Sequence, residues 1–516
     1  MIRSALVVAA GLCLSSVASA DPATVDTSHI PVQVGTVAPG QGPRVVVDLP
    51  AGYQGTRPIA ASGESNLLYL NRCTGGCTVH TAGTDSASSS QTTIGTPGDH
   101  VLSEYADAAG DTGTLADDEW NQVLACVKEI YSPFNMTVTD VKPANGLTYT
   151  EEIIAGKANE LLGAGGAGIL GIALLTQDCS PVDNAIAFAF ADSHGPNDRV
   201  FNICWTAGQE AAHEYGLDHE YSFDDGTSAC NDPMTYRTDC GGEKFFRNKQ
   251  AMCGDVPQAN GVIPRACRCG GEQNSHLKIL SVFGPGQSTV PAPTVSVTFP
   301  AAGATTLGAV VAGKAFSKRG VDHVDLWLNN YKWATTPGAA FGQEGQPEST
   351  YTLTVPTTVP NSIVDVQLKA YDDLGLETDS DVLTVTKGAA CTDASTCLAG
   401  MTCDAGKCEW PAATGALGDV CTYPQFCTSG ECTENSNDGM SYCTHDCLPG
   451  IADSCEAGYT CFGPDQAHGQ CFADDGSGGG GCCSVEGSSG NGWWVHALFG
   501  AGVLGLVLRR RNRARA

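Results

Sequence analysis

The sequence is poor in basic residues, and this scarcity excludes a class of partners. Lys and Arg number 27 against 56 Asp and Glu, so the formal net charge is −29. Binding to nucleic acid needs clustered cations, and no nucleic-acid partner is expected. An acidic balance of this size is typical of a soluble protein whose surface faces an external medium. The chain of 516 residues is too long for a single core, which predicts several domains.

Both ends of the chain have the composition of targeting segments. Residues 1–20 contain Arg3, a short apolar run and the small residues Ala18 and Ala20 at a cleavage position. This pattern predicts a secretory signal peptide that is removed before Asp21, because the apolar run is too short to span a bilayer.

The C-terminal segment, residues 476–516, has three parts. A Gly run with Cys482 and Cys483 is followed by an apolar stretch near 492–508 and by five arginines. The apolar stretch predicts a C-terminal transmembrane helix whose arginines stay on the cytoplasmic side.

Together these three parts resemble the MYXO-CTERM sorting tags of myxobacterial surface proteins. The resemblance implies cleavage near Cys482 and contact with the membrane through the anchor or the sorting machinery. The protein is then expected in the cell envelope or at the cell surface, or released outside the cell. A plain tail anchor is the alternative.

Cysteine is absent over more than a hundred residues between two dense groups. Ten cysteines lie between 73 and 269 and twelve between 391 and 471, and both counts are even. In an oxidising compartment this pattern predicts two independent disulfide frameworks, whose connectivity the spacing does not determine.

The first cysteine group spans a segment with both helical and strand patterns. Residues 114–131 have helical periodicity, and Pro133 follows the end of that helix. Residues 185–191 alternate large apolar residues with alanines, which predicts a strand with one face open to close packing. With a further helix at 206–216, the pattern predicts an α/β layer.

Beyond this group the chain becomes strand-rich and then cysteine-rich. Short alternating strands near 295–299, 324–328 and 364–368 predict an Ig-like β-sandwich. Residues 397–403 and 455–461 repeat the pattern Cys-x-Ala-Gly-x-Thr-Cys in a region with few apolar residues. The repeat predicts a module held by disulfides, and zinc knuckles are less favoured because no histidine lies at ligand spacing.

The segment QEAAHEYGLDH has the pattern of a metal site. His213 and His219 are six residues apart, so they can share one ion only if the helix ends between them and the chain turns back. Gly216 lies at that point and tolerates the left-handed conformation that ends many helices. Gln209 precedes His213 by one turn on the same helix face, and Glu210 follows it as a candidate general base.

The same segment resembles the zinc motif of the metzincin endopeptidases, His-Glu-x-x-His-x-x-Gly-x-x-His. It matches at Glu210, His213, Gly216 and His219, and it has Gln209 where the family has its first zinc-binding histidine.

A second match lies downstream, in NDPMTY. Met234 resembles the family's methionine turn, and Tyr236 follows it as in the astacin and serralysin branches. The resemblance covers roughly residues 65–270. It implies an α/β metzincin-like catalytic domain in which the strand at 185–191 is the edge strand that pairs with an extended peptide.

The resemblance implies one zinc ion held by Gln209, His213 and His219. It implies a surface-anchored endopeptidase that hydrolyses peptide bonds of protein or peptide substrates, with Glu210 as general base for a metal-bound water and Tyr236 at the oxyanion. The amide of Gln209 is a weaker donor than imidazole. The alternative is therefore a catalytically impaired metzincin-like binding or adhesion protein of the cell surface, and a third hypothesis is a structural surface protein in which the motif is fortuitous.

Two pairs of acidic residues allow more than one interpretation. Asp372 and Asp373 lie in a turn of the predicted sandwich, where a solvated turn is preferred and a calcium site is the alternative. Asp218 and Glu220 flank His219 and could complete its metal site, but a solvated acidic turn is preferred there too.

These patterns together predict a multidomain fold class. It comprises an α/β metzincin-like catalytic domain, an Ig-like β-sandwich, a disulfide-rich module and a C-terminal transmembrane helix. The predicted segments are a signal peptide (1–20), a linker or short pro-segment (21–60), the peptidase domain (61–285), the sandwich (286–388), the Cys-rich repeat module (389–475) and the sorting tail (476–516).

Overall fold

A computed structural model describes most of the chain between its two ends. The described residues are 44–49, 65–223, 229–236, 243–254, 265–268, 270–339, 348–436, 438–447, 449, 454–463 and 469–473. The predicted signal peptide, most of the predicted linker and the sorting tail lie outside them. The described residues as far as Phe472 belong to one compact unit.

The part of the chain before the sandwich contains twelve described strands and four α-helices. The strands are β1 (Arg44–Leu49), β2 (Leu67–Asn71), β3 (Cys77–Thr81), β4 (Gln91–Thr92), β5 (Gly98–Leu102), β6 (Thr137–Thr139), β7 (Thr150–Ile154), β8 (Gly171–Thr176), β9 (Ile186–Ala189), β10 (Glu220–Phe223), β11 (Ala251–Cys253) and β12 (Glu272–Gln273). The helices are α1 (Thr114–Tyr131), α2 (Ala158–Leu162), α3 (Arg199–Glu214) and α4 (Ser275–Phe283).

Six of these strands form one mixed sheet in the order β1-β8-β9-β7-β2-β6. Neighbouring strands run parallel except β8 and β9, which are antiparallel. Because side chains alternate across a sheet, each strand contributes to two cores. Leu68 and Leu70 of β2 join the hydrophobic cluster that contains α1 and α3, whereas Tyr69 joins the cluster on the other face.

Strand β9 has the two-faced packing that its alternation predicts. Ala189 joins the cluster that contains α3, while Ile186 and Phe188 join the opposite one. Its predicted place at the sheet edge is wrong, because β9 lies between β8 and β7 and β8 pairs in turn with β1. The alternation of large and small residues predicts that both faces of the strand are buried, but it does not predict the order of the strands in the sheet.

Helix α1 has the bounds that the periodicity at 114–131 predicts. It is joined to α3 by the disulfide Cys126–Cys204. The hydroxyl of Tyr131, at the end of α1, also donates to the carbonyl of Gly208 in α3 at 2.8 Å. The two long helices therefore form one unit on one face of the sheet.

The next segment forms two facing sheets. Its strands are β13 (Thr294–Phe299), β14 (Val310–Phe316), β15 (His323–Leu328), β16 (Tyr331–Pro337), β17 (Ser349–Thr354), β18 (Ser362–Tyr371), β19 (Glu377–Asp379) and β20 (Leu383–Lys387). One sheet has the order β13-β14-β17, and in the other β18 pairs with β15, β19 and β20 while β15 also pairs with β16. Their inward side chains share one core. The strands predicted in this segment are therefore confirmed.

The cysteine-rich segment consists of short strands held by disulfides. The strands are β21 (Thr402–Asp404), β22 (Lys407–Glu409), β23 (Glu431–Glu434), β24 (Ser441–Thr444), β25 (Asp446–Cys447), β26 (Tyr459–Phe462) and β27 (Gly469–Ala473). The disulfides are Cys391–Cys403, Cys397–Cys408, Cys421–Cys432, Cys427–Cys443, Cys447–Cys461 and Cys455–Cys471. They form three successive four-cysteine blocks, in each of which the first cysteine pairs with the third and the second with the fourth.

A buried ion-pair network joins the sandwich to the preceding region. Arg319 Nε donates to Asp373 Oδ1 at 2.8 Å, and Arg247 Nε lies 3.5 Å from Asp373 Oδ2. Arg319 also donates to the carbonyl of Phe246 at 2.8 Å. The side chain of Asp373 is 5% exposed. The preferred interpretation of Asp372 and Asp373 as a solvated turn is therefore wrong.

The predicted fold class is wrong as well. Strands dominate, and only 17% of the structure is helical, so the expected α/β metzincin core is not what the chain forms. The helical periodicity of α1 is easy to read in a sequence, whereas short strands with distant partners leave little periodic signal. The disulfide-rich module is present as predicted.

The predicted C-terminal transmembrane helix is not borne out. None of the helices in the described ranges has the length and apolar character needed to cross a bilayer. The apolar stretch on which the prediction rested, near 492–508, lies outside those ranges.

Candidate metal centre

Helix α3 carries the candidate site and is buried over most of its length. From Asn202 to Glu214 every side chain of the helix is buried. It packs against β7, β8 and β9 on one side and α1 on the other. Gly208 permits the close approach of α1, because a Cβ there would lie 2.5 Å from the Ile130 side chain. A helix that is covered on all sides can hold polar groups away from bulk water.

The helix ends where the sequence predicts, at a left-handed glycine. Gly216 has φ +89, and its N–H donates to the carbonyl of His213 at 2.9 Å. Leu217 N–H donates to the carbonyl of Ala212 at 3.2 Å. These two bonds make a Schellman motif, which turns the chain back after the helix. His219 therefore returns towards His213.

The two imidazole rings meet through their Nε2 atoms. His213 Nε2 lies 3.0 Å from His219 Nε2, and the ring planes are nearly perpendicular. Two nitrogens bound to one tetrahedral zinc ion at about 2.0–2.1 Å are roughly 3.3 Å apart. The observed separation is close to what a shared ion needs.

The other nitrogen of each ring is held by a hydrogen bond. His213 Nδ1 lies 2.6 Å from the carbonyl oxygen of Leu217. A carbonyl only accepts, so Nδ1 carries the proton and the lone pair of the neutral ring is on Nε2. His219 Nδ1 lies 2.8 Å from the hydroxyl of Tyr236, which can donate or accept and so accommodates either tautomer of His219. Partners of this kind orient the histidine ligands of metals.

Burial keeps both histidines neutral. It lowers the pKa of His213 to about 3, and burial together with the neighbouring His213 holds the pKa of His219 well below its usual value. A neutral imidazole offers a lone pair, which is the form that binds a metal. The pair is therefore ready to bind a cation at neutral pH.

Gln209 lies one turn before His213 on α3 and is fully buried. Residues four apart share a helix face, so the amide lies on the face of His213. Its oxygen can contribute a neutral donor to an ion held there. No imidazole or carboxylate occupies this position.

Glu210 lies against the sheet at β8. Its carboxylate occupies the space that Gly171 leaves, since a Cβ on Gly171 would come within 2.5 Å of Glu210 Oε1. Gly171 is the first residue of β8. The candidate general base is thus placed at the start of the strand next to the sheet edge.

Met234 lies in a buried turn that is joined to the histidine loop. Its N–H is held by Asp232 Oδ1 at 2.8 Å, and its carbonyl accepts from the N–H of Glu220, the residue after His219, at 2.9 Å. The Met234 side chain is fully buried in the cluster that contains α3. The turn therefore braces the segment that brings His219 back to the helix.

The acidic neighbours of His219 are not solvated, contrary to the preferred interpretation. Asp218 is fully buried and binds Arg265 Nη2 at 2.7 Å and Arg268 Nη1 at 3.1 Å. The arginines hold the pKa of this carboxyl well below its usual range despite the opposing effect of burial. Glu220 is buried too and accepts from Gln273 at 3.0 Å. Asp218 serves as an anchor for the loop through these arginines.

Several residues that shape the site were not predicted. Gly171 makes room for Glu210, Asp232 holds the Met234 turn, and the Leu217 carbonyl fixes a histidine tautomer. Gly171 reaches the site through distant strand pairing and carries no local motif, whereas Asp232 lies two residues before Met234 and could have been found as a turn residue. Leu217 could have been found, because a Schellman ending directs the carbonyls after it back to the helix.

Other side-chain groups that can approach a metal lie in the cysteine-rich segment. Their ligand atoms lie within 4.8 Å of one another in four groups: Cys391, Cys397 and Cys408; Cys421, Cys427 and Cys432; Cys447, Cys455 and Cys471; and His445, Glu456 and Cys471. All of these cysteines are disulfide-bonded. Only reduction would give them the thiolates that bind metals.

No family model matches this chain, and no curated protein matches it. Among solved structures, the fibronectin(III)-like modules of Clostridium thermocellum CbhA are 19% identical, with 18% of this chain and 96% of that chain covered and a TM-score of 0.14. OgpA from Akkermansia muciniphila is 10% identical, with 65% of this chain and 96% of that chain covered and a TM-score of 0.18. At these TM-scores neither likeness carries an argument about fold or function.

Proposed function

We propose that this protein is an exported zinc-dependent endopeptidase of the cell surface. The observation that carries the proposal is the 3.0 Å approach of two neutral imidazole nitrogens, His213 Nε2 and His219 Nε2, at the end of the helix that bears Glu210. The proposal depends on these side chains and on their resemblance to the metzincin motif.

Zinc would be held by His213, His219 and the amide oxygen of Gln209. When bound, the ion supplies Lewis acidity to a water molecule and to the carbonyl of the peptide that is cut. Two imidazoles and one amide make a weaker set than three imidazoles, so the affinity is expected to be modest.

Glu210 is assigned the proton transfers. Its carboxylate takes a proton from the attacking water and delivers it to the amine that leaves when the peptide bond breaks. Its carboxylate lies against Gly171 of β8. Tyr236 is held at His219 Nδ1, where it orients that ring, and its predicted role at the oxyanion stays a prediction.

The disulfides support export. Every cysteine within the described ranges is disulfide-bonded, including Cys179 and Cys230. Such usage is typical of proteins that fold outside the reducing cytosol. Sorting to the cell surface rests on the C-terminal segment, whose three parts resemble a MYXO-CTERM tag.

Gln209 favours a second candidate, a binding protein of the cell surface without catalytic activity. A site that loses one histidine loses metal affinity, and a metal that is poorly held cannot activate water reliably. The same domain would then only bind a peptide or protein partner.

One experiment separates the zinc endopeptidase from the binding protein without catalytic activity. The secreted protein, dialysed against a series of buffered chelators, is assayed for zinc content and for cleavage of casein. We expect zinc at a molar ratio near one under weak chelation, and cleavage that the chelator abolishes. Gln209→His should raise the zinc affinity by roughly a hundredfold, because it supplies the third imidazole.

Two variants control the interpretation. Glu210→Gln keeps the metal donors and should retain zinc but lose cleavage. His276→Gln changes another buried histidine that lies against Phe134 and should leave zinc binding unchanged. If neither the parent nor Gln209→His binds more zinc than His213→Ala, the metal site is refuted. If zinc binds but nothing is cut, the binding protein is the better description.

A further inference from the structure

A short segment before the sandwich is held in place by two side chains of the sandwich. The carbonyl of Phe246 accepts from Arg319 at 2.8 Å, and the backbone N–H of Asn248 donates to Asp373 Oδ2 at 3.0 Å. Arg247, between them, has its Nε 3.5 Å from the same oxygen of Asp373. Three successive residues are therefore fixed from the sandwich side.

The same segment supports the turn that bears Met234. The backbone N–H of Arg247 donates to Asp232 Oδ2 at 2.9 Å, and the hydroxyl of Ser275 donates to that oxygen at 2.6 Å. The other oxygen, Asp232 Oδ1, accepts from the N–H of Met234 at 2.8 Å. Arg247 thus contacts Asp373 with its side chain and Asp232 with its backbone.

The Met234 turn fixes the backbone directly after His219. The N–H of Glu220 donates to the carbonyl of Met234 at 2.9 Å, and the carbonyl of His219 accepts from the N–H of Gly254 at 2.8 Å. The two histidines can share an ion only while His219 Nε2 stays near its 3.0 Å distance from His213 Nε2. A shift of the backbone at Glu220 would therefore move a metal ligand.

A continuous path of contacts leads from the sandwich to the metal centre. The Asp373 side chain at its start is 5% exposed, and Arg247, Asp232 and Met234 along it are buried. Interactions in such an interior network are strengthened by the low dielectric, and the loss of one member affects the others. The arrangement couples the sandwich to the position of His219.

We propose that Asp373 is a positioning residue of the metal centre, by which the sandwich holds His219 at ligand distance from His213. It acts through Arg247 and the Met234 turn, without touching the metal. This inference rests on the proposed function, since the histidines that it concerns are the zinc ligands of that proposal. The sandwich is then a part of the site and not only a spacer.

The test compares two variants of the full secreted chain that lose stability for different reasons. Asp373→Asn removes the counter-ion of two buried arginines. Leu326→Ala opens a cavity in the sandwich core, where Leu326 is fully buried, and costs stability of a similar size away from the path. Under conditions where both are folded, each is titrated with zinc, and the zinc-free protein is assayed for hydrogen exchange at the amides of Met234 and Glu220.

We expect Asp373→Asn to bind zinc at least about tenfold more weakly than the parent, because the loss of a group that orients metal ligands typically costs roughly 10–100-fold in affinity. Leu326→Ala should keep the zinc affinity of the parent. The Met234 and Glu220 amides should exchange faster in Asp373→Asn than in Leu326→Ala. Global unfolding contributes similarly to exchange in two variants of similar stability, so the excess reports local opening of the turn.

A double variant tests the path itself. Asp232→Asn weakens the link at the turn, since an amide has one oxygen in place of the two that accept from Met234 and Arg247. If Asp373 acts through Asp232, adding Asp373→Asn to Asp232→Asn should weaken zinc binding less than Asp373→Asn does in the parent. Additive losses would overturn the proposed route.

Zinc binding and exchange separate failure of this inference from failure of the proposed function. If the parent binds zinc and Asp373→Asn binds it equally tightly, or if Leu326→Ala loses as much affinity as Asp373→Asn, the inference is refuted. If the parent binds no zinc, the proposed function fails, and exchange decides the inference. Faster exchange at Met234 and Glu220 in Asp373→Asn than in Leu326→Ala then supports the hold of the sandwich on His219, and equal exchange refutes it.

Discussion

Glu152 is a buried carboxyl group whose oxygens lack hydrogen bonds within the described residues. It is fully buried on β7, and neither of its carboxylate oxygens has a hydrogen-bond partner within the described part of the chain. Burial raises its pKa well above the usual value, and the nearby carboxyls of Glu210 and Glu214 add to this. Glu152 is therefore protonated in the folded protein at pH values where it is ionised in the unfolded chain.

The difference between the folded and the unfolded pKa of Glu152 predicts that Glu152→Gln gains stability relative to the parent as pH rises. Below pH 4.5, the ordinary pKa of this carboxyl, the side chain is neutral in both the folded and the unfolded state. The pKa difference then does not lower the free energy of unfolding. As pH rises above 4.5, ionisation stabilises the unfolded parent chain until the folded pKa is reached. The stability of the variant relative to the parent should therefore increase from pH 4 to pH 8.

Urea unfolding across that pH range measures the difference. The relevant quantity is its trend with pH, since the buried amide adds a cost that is the same at every pH. Ile153→Val, at the next position of β7, removes a buried methylene that does not titrate and should show a flat difference. A flat difference for Glu152→Gln would show that the carboxyl is ionised when folded.

At this scale the sequence was informative where the relation between residues is local. His213, Gly216 and His219 could be predicted together because one helix and one turn connect them. The contact of Glu210 with Gly171 could not, because it depends on which strand lies beside the helix. The burial of Asp218 could not either, since its arginines come from a distant loop.

Among the elements, the end of α3 determines whether the two histidines meet. Gly216 has φ +89, and a Cβ there would lie 2.1 Å from the carbonyl oxygen of Cys179. We expect Gly216→Ala to lower the free energy of unfolding by about 3 kcal/mol, from left-handed strain together with this overlap. Its zinc affinity should fall as well, because His219 moves with the turn.

Gly110 provides a matched control for Gly216. It has φ +90, but no atom lies within 4 Å of an added Cβ. Gly110→Ala should therefore cost about 1 kcal/mol, from backbone strain alone, and leave zinc binding unchanged. Guanidinium unfolding and zinc titration of both variants measure the effects, and equal losses would mean that the overlap with Cys179 is relieved at no cost.

The elements differ in how far the sequence revealed them. α1 was predicted with its observed bounds, because an amphipathic face of five turns is a long signal. α3 begins at Arg199, earlier than predicted, because burial on all sides removes the polar face that marks a helix. The pairing of β1 with β8 could not be predicted, since the two strands are joined by no turn and share no periodic pattern.

For the whole molecule, Asp373 is the residue on which the contact with the sandwich depends. It pairs with the buried Arg319 and with Arg247, whose own N–H donates to Asp232 at 2.9 Å. The network thus reaches from the sandwich to the turn that bears Met234. These arginines hold the pKa of Asp373 well below its usual range, against the effect of burial.

We expect Asp373→Asn to lower the free energy of unfolding by about 3–5 kcal/mol, because it leaves two buried guanidinium groups without their counter-ion. The folded pKa is depressed, so the loss should be full at neutral pH and should shrink as pH falls below 3.8. Guanidinium unfolding at pH 7 and pH 3 tests both parts.

Asp379, also in the sandwich, provides a control for Asp373→Asn. Asp379 lies 3.2 Å from Lys369, but its side chain is 47% exposed. Asp379→Asn should cost less than about 1 kcal/mol, because solvent weakens such a pair. Equal losses for the two variants would mean that the buried network contributes no more than a surface pair.

The disulfide pairing within each of the three four-cysteine blocks has a consequence for the evolution of this protein. Each disulfide of the blocks closes within its own group of four, so a whole group can be duplicated or deleted without stranding a thiol. The second and third blocks can therefore be gained or lost in complete steps, whereas the first is fixed to the sandwich by the pairing of β22 with β18 and by the bond from Asn329 to the carbonyl of Cys408.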